Sequence, residues 1–127
     1  MKTIIIDDSE LLRERLRSLL DEIEGIELAG EAESLKQGQE LVERVSPDVI
    51  FLDIRLRDGV SIDFIKKLKM MHSQPIVIIL TDYPYPQYRI RCLESGADYF
   101  LEKQGEFEKI PELVGRLIKT SPHEDVR

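Results

Sequence analysis

The chain has 127 residues, the size of a single domain, and its apolar and charged fractions of 42% and 34% are those of an ordinary globular protein. A formal net charge of −7 argues against nonspecific nucleic-acid binding, which needs a basic surface, and no apolar run approaches the length of a membrane span. Cys92 is the single cysteine, so no intramolecular disulfide can form, and we expect a reducing, cytoplasmic location.

Short apolar runs alternate with longer amphipathic segments in the first half of the chain. Residues 3–6 form a β-branched run that predicts a buried strand. Leucines at helical spacing predict a helix near 9–23, which Gly25 is expected to end. A more polar strand at 26–32 suits the edge of a sheet, and Ser34 is expected to cap the second helix.

The second half of the chain continues the same alternation. Its predicted elements are a strand at 49–52, a helix at 61–71, a strand at 76–80, a helix at 86–94, a strand at 99–101 and a helix at 110–118. Five strand-helix units of this kind predict an α/β domain with a parallel sheet covered on both faces. We assign this domain to residues 1–119 and a polar C-terminal tail to residues 120–127.

Polar residues directly follow the predicted strands. Asp7 and Asp8 follow the first strand, Asp53 the third, Thr81 the fourth and Lys103 the fifth. Ligands of doubly wound sheets bind beyond the carboxyl ends of the strands, so we expect these side chains to meet at one edge of the sheet.

Crowded carboxylates would raise one another's pKa values, and a divalent cation removes that conflict. Mg²⁺ suits such a site because it prefers a few carboxylates together with waters and a phosphate oxygen. Asp53 can then attack a phosphoryl group as a carboxylate nucleophile, while Lys103 neutralises charge and the Thr81 hydroxyl donates a hydrogen bond.

Each of these residues alone also has an ordinary structural explanation. Asp7 and Asp8 can cap the first helix, Asp53 and Thr81 can be loop and turn residues, and Lys103 can be a solvated surface lysine. No single explanation of this kind accounts for all five at one end of the same sheet.

Four blocks of the sequence resemble the receiver domains of two-component response regulators. They are residues 6–9 (IDDS), 52–59 (LDIRLRDG), 80–81 (LT) and 95–103 (SGADYFLEK). The resemblance covers essentially the whole chain, and the spacings between the blocks also fit. It implies a flavodoxin-like sheet of strand order 2-1-3-4-5 and a stand-alone response regulator of a two-component or phosphorelay system.

The same resemblance implies a phosphoacceptor and a metal site. A histidine kinase or phosphotransfer protein would phosphorylate Asp53. Asp8 would bind Mg²⁺ directly and Asp7 mainly through water, and Asp53 and the backbone carbonyl of Arg55 would complete the protein ligands.

It also implies how the signal is transmitted. Lys103 would pair with the phosphoryl group, Thr81 would move toward it, and Phe100 would change rotamer. The face formed by the fourth helix, fifth strand and fifth helix would then change its affinity for a downstream protein. In such a domain the chain is not an enzyme but a phosphoacceptor that assists its own phosphorylation and dephosphorylation, and neither nucleic acid nor membrane is an expected partner.

Three positions depart from the usual pattern of the family. Arg57 and Gln104 stand where proline is usual, and Asp82 stands where a small residue is usual, which adds a negative charge near the site unless its side chain turns outward. Arg55 and Tyr83 occupy positions that tune acyl-phosphate hydrolysis in the family. Both are bulky here, so we hypothesise that they shield the acyl phosphate from water and lengthen its lifetime.

Other functions stay open on the sequence. Asp82 and Gln104 keep open a pseudo-receiver that binds partners without phosphorylation, although the intact set of site residues weighs against it. A receiver cut from a longer regulator is also compatible, although no basic recognition helix follows residue 119. A phosphatase resembling the haloacid dehalogenase group is disfavoured because Arg55 stands where a second aspartate is needed. The segment from Tyr83 to Tyr88 is either an ordinary loop into the fourth helix or a stiff loop that presents tyrosines to a partner.

Overall fold

The computed structural model describes residues 1–120 of the protein. Within this range the strands are, in chain order, β1 (Lys2–Ile6), β2 (Glu27–Ala32), β3 (Val49–Leu52), β4 (Arg55–Leu56), β5 (Gly59–Val60), β6 (Ile76–Thr81) and β7 (Tyr99–Glu102). Five of them form one parallel sheet in the order β2-β1-β3-β6-β7, while β4 and β5 pair only with each other as an antiparallel hairpin. The predicted doubly wound order is therefore confirmed.

Helices follow the sheet strands and cover both faces of the sheet. They are α1 (Glu10–Asp21), α2 (Leu35–Val45), α3 (Ile62–Lys69), α4 (Pro86–Glu94) and α5 (Ile110–Lys119), with a single 3₁₀ turn at Phe107–Lys109 before α5. Among the described residues, no helix is both long and apolar enough to cross a membrane.

Alternation along the strands creates two hydrophobic cores. Ile4 and Ile6 of β1 face a core completed by α2, α3 and α4, whereas Ile5 faces a core completed by α1 and α5. Because both faces are buried, β1, β3 and β6 consist of nearly continuous apolar residues, as parallel sheets require. Strand β2 is only partly buried and lies at the sheet edge, as its polar residues predicted.

Two predicted helix ends are wrong. Helix α1 ends at Asp21 rather than at Gly25, because the backbone N–H groups of Glu22 and Ile23 donate to carbonyls three residues back and tighten the chain into a turn. Helix α3 ends at Lys69 rather than at residue 71, because Met70 likewise donates to a carbonyl three residues back. Of the predicted tail, residues 121–127 lie outside the described residues.

Candidate functional site

The carboxyl ends of three neighbouring strands bring polar side chains together. Asp7 follows β1, Asp53 follows β3, and Thr81 is the last residue of β6, so all three lie at the same edge of the sheet. Each of them is almost completely buried, with exposed fractions of 2%, 4% and 0%. Buried polar groups need hydrogen-bond or charge partners, so these three residues are not ordinary solvated loop residues.

Asp7, Asp8 and Asp53 form an acidic cluster. One carboxylate oxygen from each residue lies within 4.8 Å of the others, and Asp8 is exposed while the other two are buried. Among the described residues, Asp53 Oδ1 is the buried side-chain oxygen without a hydrogen-bond partner. Three hard oxygen ligands, an unpartnered buried oxygen and one open side fit Mg²⁺, which binds through a few carboxylates and keeps several waters.

Lys103 lies between the two buried carboxylates. Its Nζ is 2.9 Å from Asp7 Oδ2 and 3.0 Å from Asp53 Oδ2, and its side chain is only 9% exposed. Burial alone would lower the pKa of Lys103, but the charges of Asp53 and Asp7 outweigh it, so its pKa is raised and the ammonium is retained. Lys103 therefore lies at the site, where its position after the fifth strand predicts it, and is not the solvated surface lysine that it could have been if taken alone.

Burial dominates the titration of both buried carboxylates. Desolvation raises the pKa of Asp53 to about 6, although the nearby Lys103 charge opposes this change. Desolvation also raises the pKa of Asp7, against the hydrogen bond from Lys103. One ammonium therefore does not fully stabilise the charge of the cluster, and a cation of higher charge would be favourable there.

The cap of α1 is Ser9 and not either aspartate. Ser9 Oγ accepts from the N–H of Leu12 at 3.1 Å, and Asp7 Oδ1 accepts from the N–H of Ser9 at 2.8 Å. The capping explanation for Asp7 and Asp8 is therefore not the one observed. Asp7 instead stabilises the turn before α1 through Oδ1, while Oδ2 contacts Lys103.

Thr81 and the two residues that follow it contribute further contacts at this edge of the sheet. Thr81 Oγ1 accepts from the N–H of Tyr83 at 2.9 Å, and this bond leaves the hydroxyl proton free for a second partner. The Arg55 guanidinium lies 4.9 Å from the centre of the Tyr83 ring, within the range of a cation-π contact. The Asp82 side chain is 55% exposed, but its carboxylate is 3.8 Å from Lys103 Nζ, so its negative charge stays near the site.

Phe100, the candidate switch aromatic, lies near the middle of β7. Its exposed fraction is 5%, and the guanidinium of Arg89 on α4 lies 5.6 Å from its ring centre. Phe100 therefore belongs to the core and at the same time contacts α4.

Two residues that support the site were missed by the sequence analysis. Arg13 of α1 donates through Nη1 to the Asp7 carbonyl at 2.6 Å, and Ser61 donates through its hydroxyl to the Asp53 carbonyl at 2.5 Å. A serine just before a helix is normally read as a cap, and an arginine in a helix as surface. Only the direction of each side chain in the folded protein reveals its contact with the site.

The sequence model of the response regulator receiver domain matches residues 3–115, which is most of the chain. The chain belongs to this family. As a receiver domain it is of the two-component phosphoacceptor class, which binds Mg²⁺ through an acidic pocket and interacts with histidine kinases or phosphotransfer proteins.

Curated relatives carry this receiver domain within longer proteins. The transcriptional regulatory protein LytR of Staphylococcus aureus is 36% identical over 126 residues, which are 98% of this chain and 50% of LytR. The sensory transduction protein LytR of Staphylococcus haemolyticus is 34% identical over 117 residues, which are 92% of this chain and 45% of that protein. The chain thus spans about half the length of the curated relatives that it matches.

Solved receiver structures have the same fold. The isolated receiver domain of RcsB from Salmonella enterica superposes with a TM-score of 0.85 at 24% identity, covering 94% of this chain and 89% of that one. The receiver domain of a NarL response regulator from Mycobacterium tuberculosis gives 0.84 at 24% identity, covering 94% and 96%. At these identities the two structures support the fold alone.

Proposed function

We propose that the chain is a phosphorylation switch of a two-component or phosphorelay system, with Asp53 as the residue that accepts the phosphoryl group. The observation that carries this proposal is the buried, unpartnered Oδ1 of Asp53, which lies in a cluster with Asp7, Asp8 and Lys103. A nucleophilic oxygen needs a free lone pair, and this oxygen has one.

The proposed reaction is a transfer to a carboxylate. Asp53 Oδ1 attacks the phosphorus of a phosphohistidine or of a small phosphodonor, the bond from phosphorus to the donor breaks, and an acyl phosphate forms. Lys103, which is already 3.0 Å from the other Asp53 oxygen, stays beside the reacting centre and balances the added negative charge. Thr81 donates its free hydroxyl proton to a phosphoryl oxygen.

The acidic cluster would hold the magnesium ion. Asp7, Asp8, Asp53 and the backbone carbonyl of Arg55 are the residues proposed to bind it, and Mg²⁺ when bound supplies positive charge to the phosphoryl oxygens. The raised pKa values of Asp7 and Asp53 support a need for positive charge beyond Lys103.

The output of the switch is proposed to be a change in protein binding. Phosphorylation draws Thr81 toward the site, Phe100 changes rotamer, and the surface of α4, β7 and α5 is altered for a downstream protein partner. The Arg89 contact with the Phe100 ring supports a coupling between that aromatic and α4. We propose no contact with nucleic acid or membrane, and a cytoplasmic location because Cys92 is a buried free thiol.

Intact mass after incubation with Mg²⁺ and acetyl phosphate tests the proposal. We expect the parent to gain one phosphoryl group and Asp53→Asn to gain none, while Asp21→Asn, which removes an exposed carboxylate at the end of α1, gains one as the parent does. No gain in the parent with any donor, together with no binding of Mg²⁺, would support a pseudo-receiver that acts without phosphorylation.

A second candidate is the receiver portion of a longer regulator, in place of a stand-alone protein. The observation that favours it is the coverage of the LytR relatives, which extend to about twice the matched length. The size of the native protein on an immunoblot separates the two: a species of about 15 kDa fits the stand-alone switch, since this chain is 14.7 kDa. A species near twice that size fits the longer regulator.

A further inference from the structure

Ser61 stands where a serine usually caps a helix, but its side chain bonds elsewhere. It directly precedes α3, where a serine usually accepts from an N–H of the helix, but its side chain makes no cap bond. Ser61 is fully buried, and its hydroxyl donates to the backbone carbonyl of Asp53 at 2.5 Å. Ser34, in the matching position before α2, does cap its helix through Gln37 at 3.1 Å.

Asp53 is held through both polar groups of its backbone. It lies one residue beyond the end of β3, and its N–H donates to the carbonyl of Ile6 at 3.0 Å. The Ser61 hydroxyl holds its carbonyl. The Cα of Asp53 is therefore fixed between β1 and the start of α3, and this limits where the carboxylate can reach.

The backbone of Ser61 extends this attachment to the next peptide group. Its N–H donates to the Ile54 carbonyl at 2.7 Å, and its own carbonyl accepts from Ile65 in the first turn of α3 at 2.9 Å. Ser61 thus binds two successive carbonyls, those of Asp53 and Ile54. Arg55, whose carbonyl is a proposed magnesium ligand, follows directly.

We infer that Ser61 is a positioning residue for phosphoryl transfer to Asp53, an inference that rests on the proposed function above. Its hydroxyl fixes the peptide group that follows Asp53, which limits the orientations of the Asp53 side chain and keeps Oδ1 facing the phosphodonor. Displacements of a reacting group by about 1 Å can lower a rate by about 100-fold, so a single hydrogen bond at this carbonyl is sufficient to affect the reaction.

The test compares phosphorylation rates of matched variants of the full chain. Ser61→Ala removes the hydroxyl, Ser61→Cys keeps its approximate volume but donates weakly, and Ser61→Thr restores a hydroxyl. Thr3→Val is the control, because Thr3 is also fully buried and donates to a backbone carbonyl, that of Met1, at the opposite end of β1. Acetyl phosphate with Mg²⁺ supplies the phosphoryl group, intact mass gives the rate, and urea unfolding gives the stability of each variant.

We expect Ser61→Ala and Ser61→Cys to be phosphorylated about 10-fold more slowly than the parent, and Ser61→Thr to recover most of the rate. Thr3→Val should lose stability but keep the parent's phosphorylation rate. If Ser61 had a purely structural role, Ser61→Ala would behave in the same way. Should Ser61→Ala not fold, Ser61→Cys carries the comparison. If folded Ser61→Ala or Ser61→Cys is phosphorylated as fast as the parent, this inference alone is overturned. If the parent accepts no phosphoryl group, the proposed function and this inference are overturned together.

Discussion

Two segments line the candidate site, and they are held very differently. The segment from Asp53 to Ser61 forms the β4–β5 hairpin, and Asp58 in its turn accepts from the N–H groups of Leu35 and Lys36 at the start of α2. The segment from Asp82 to Tyr85 leads into α4, and the N–H of Tyr83 donates to the Thr81 hydroxyl. Its other side-chain contacts with the site are looser: Asp82 is 3.8 Å from Lys103, and the Tyr83 ring lies against Arg55.

The helices that follow these two segments also differ in how much apolar surface they bury. Helix α3 buries Ile62, Phe64, Ile65 and Leu68, whereas α4 buries Cys92 and leaves Ile90 and Leu93 exposed. Local stability follows the number of buried apolar contacts, so α4 should rearrange at a lower free-energy cost than α3. The proposed nucleophile, Asp53, therefore lies on the firmly held side of the site, and the proposed moving parts lie on the loosely held side.

Lys103 contacts both segments, and removing its charge should produce the largest effect. In EDTA, Lys103→Gln leaves Asp7 and Asp53 without their cation, so the free energy of unfolding should fall by about 3 kcal/mol in urea denaturation. The control is Lys109→Gln, which removes an exposed pair with Glu106 and should change stability by less than about 0.5 kcal/mol. Equal losses in both variants would contradict the account of the buried cluster.

One isoleucine from each helix tests the comparison of α3 with α4. Ile65→Ala should lower the free energy of unfolding by about 3 kcal/mol, because Ile65 is completely buried and its removal leaves a cavity. Ile90→Ala should change it by less than about 0.5 kcal/mol, because that side chain is 56% exposed. Similar losses from the two substitutions would show that α4 is held as firmly as α3.

The burial of Asp53 predicts a pH dependence of the metal-free protein. Because burial raises the pKa of Asp53 from 3.8 to about 6, the folded state retains a proton that the unfolded state has lost between these values. The stability contributed by this proton is present below the unfolded pKa and disappears as pH rises through the folded pKa.

Asp53→Asn removes this titration and is the reference for measuring it. In EDTA, the free energy of unfolding of the parent should fall relative to that of Asp53→Asn by on the order of 2 kcal/mol between about pH 4 and about pH 7. Urea denaturation of both proteins across this range gives the difference. If the difference in free energy of unfolding between the two proteins does not change with pH, the Asp53 carboxylate is better solvated than its burial indicates.

The smallest effect is expected at the contact between Arg55 and Tyr83. If this pair shields the acyl phosphate, Tyr83→Ala and Arg55→Ala should each accelerate its hydrolysis severalfold, equivalent to about 1 kcal/mol of activation free energy, with little loss of stability. Intact mass during decay of the phosphorylated protein measures the lifetime. Tyr85→Ala is the control, because it removes an exposed tyrosine of the same loop, and unchanged decay in all three variants would contradict the shielding hypothesis.

Much of the fold could be predicted from the sequence because its signals are local. The strand at 49–52 and the helix at 86–94 have the bounds that were predicted, since a short apolar run and a proline at the first helical turn each depend on a few neighbouring residues. Helix ends at Asp21 and Lys69 were not predictable in the same way. There the apolar pattern continues past the end, and the chain leaves the helix through turns that the pattern does not record.

The site residues, Lys103 among them, could be placed at one edge of the sheet without a structure, because parallel strands carry the residues that follow them to the same edge. The contacts between these groups could not be predicted in this way. Lys103, which follows β7, contacts Asp53 after β3 and Asp7 after β1. Ser61 donates its hydroxyl to the Asp53 carbonyl and not to an N–H of α3. A buried polar side chain must form hydrogen bonds with the donors and acceptors that are buried beside it. Those partners come from residues distant in sequence, so local sequence patterns do not reveal them.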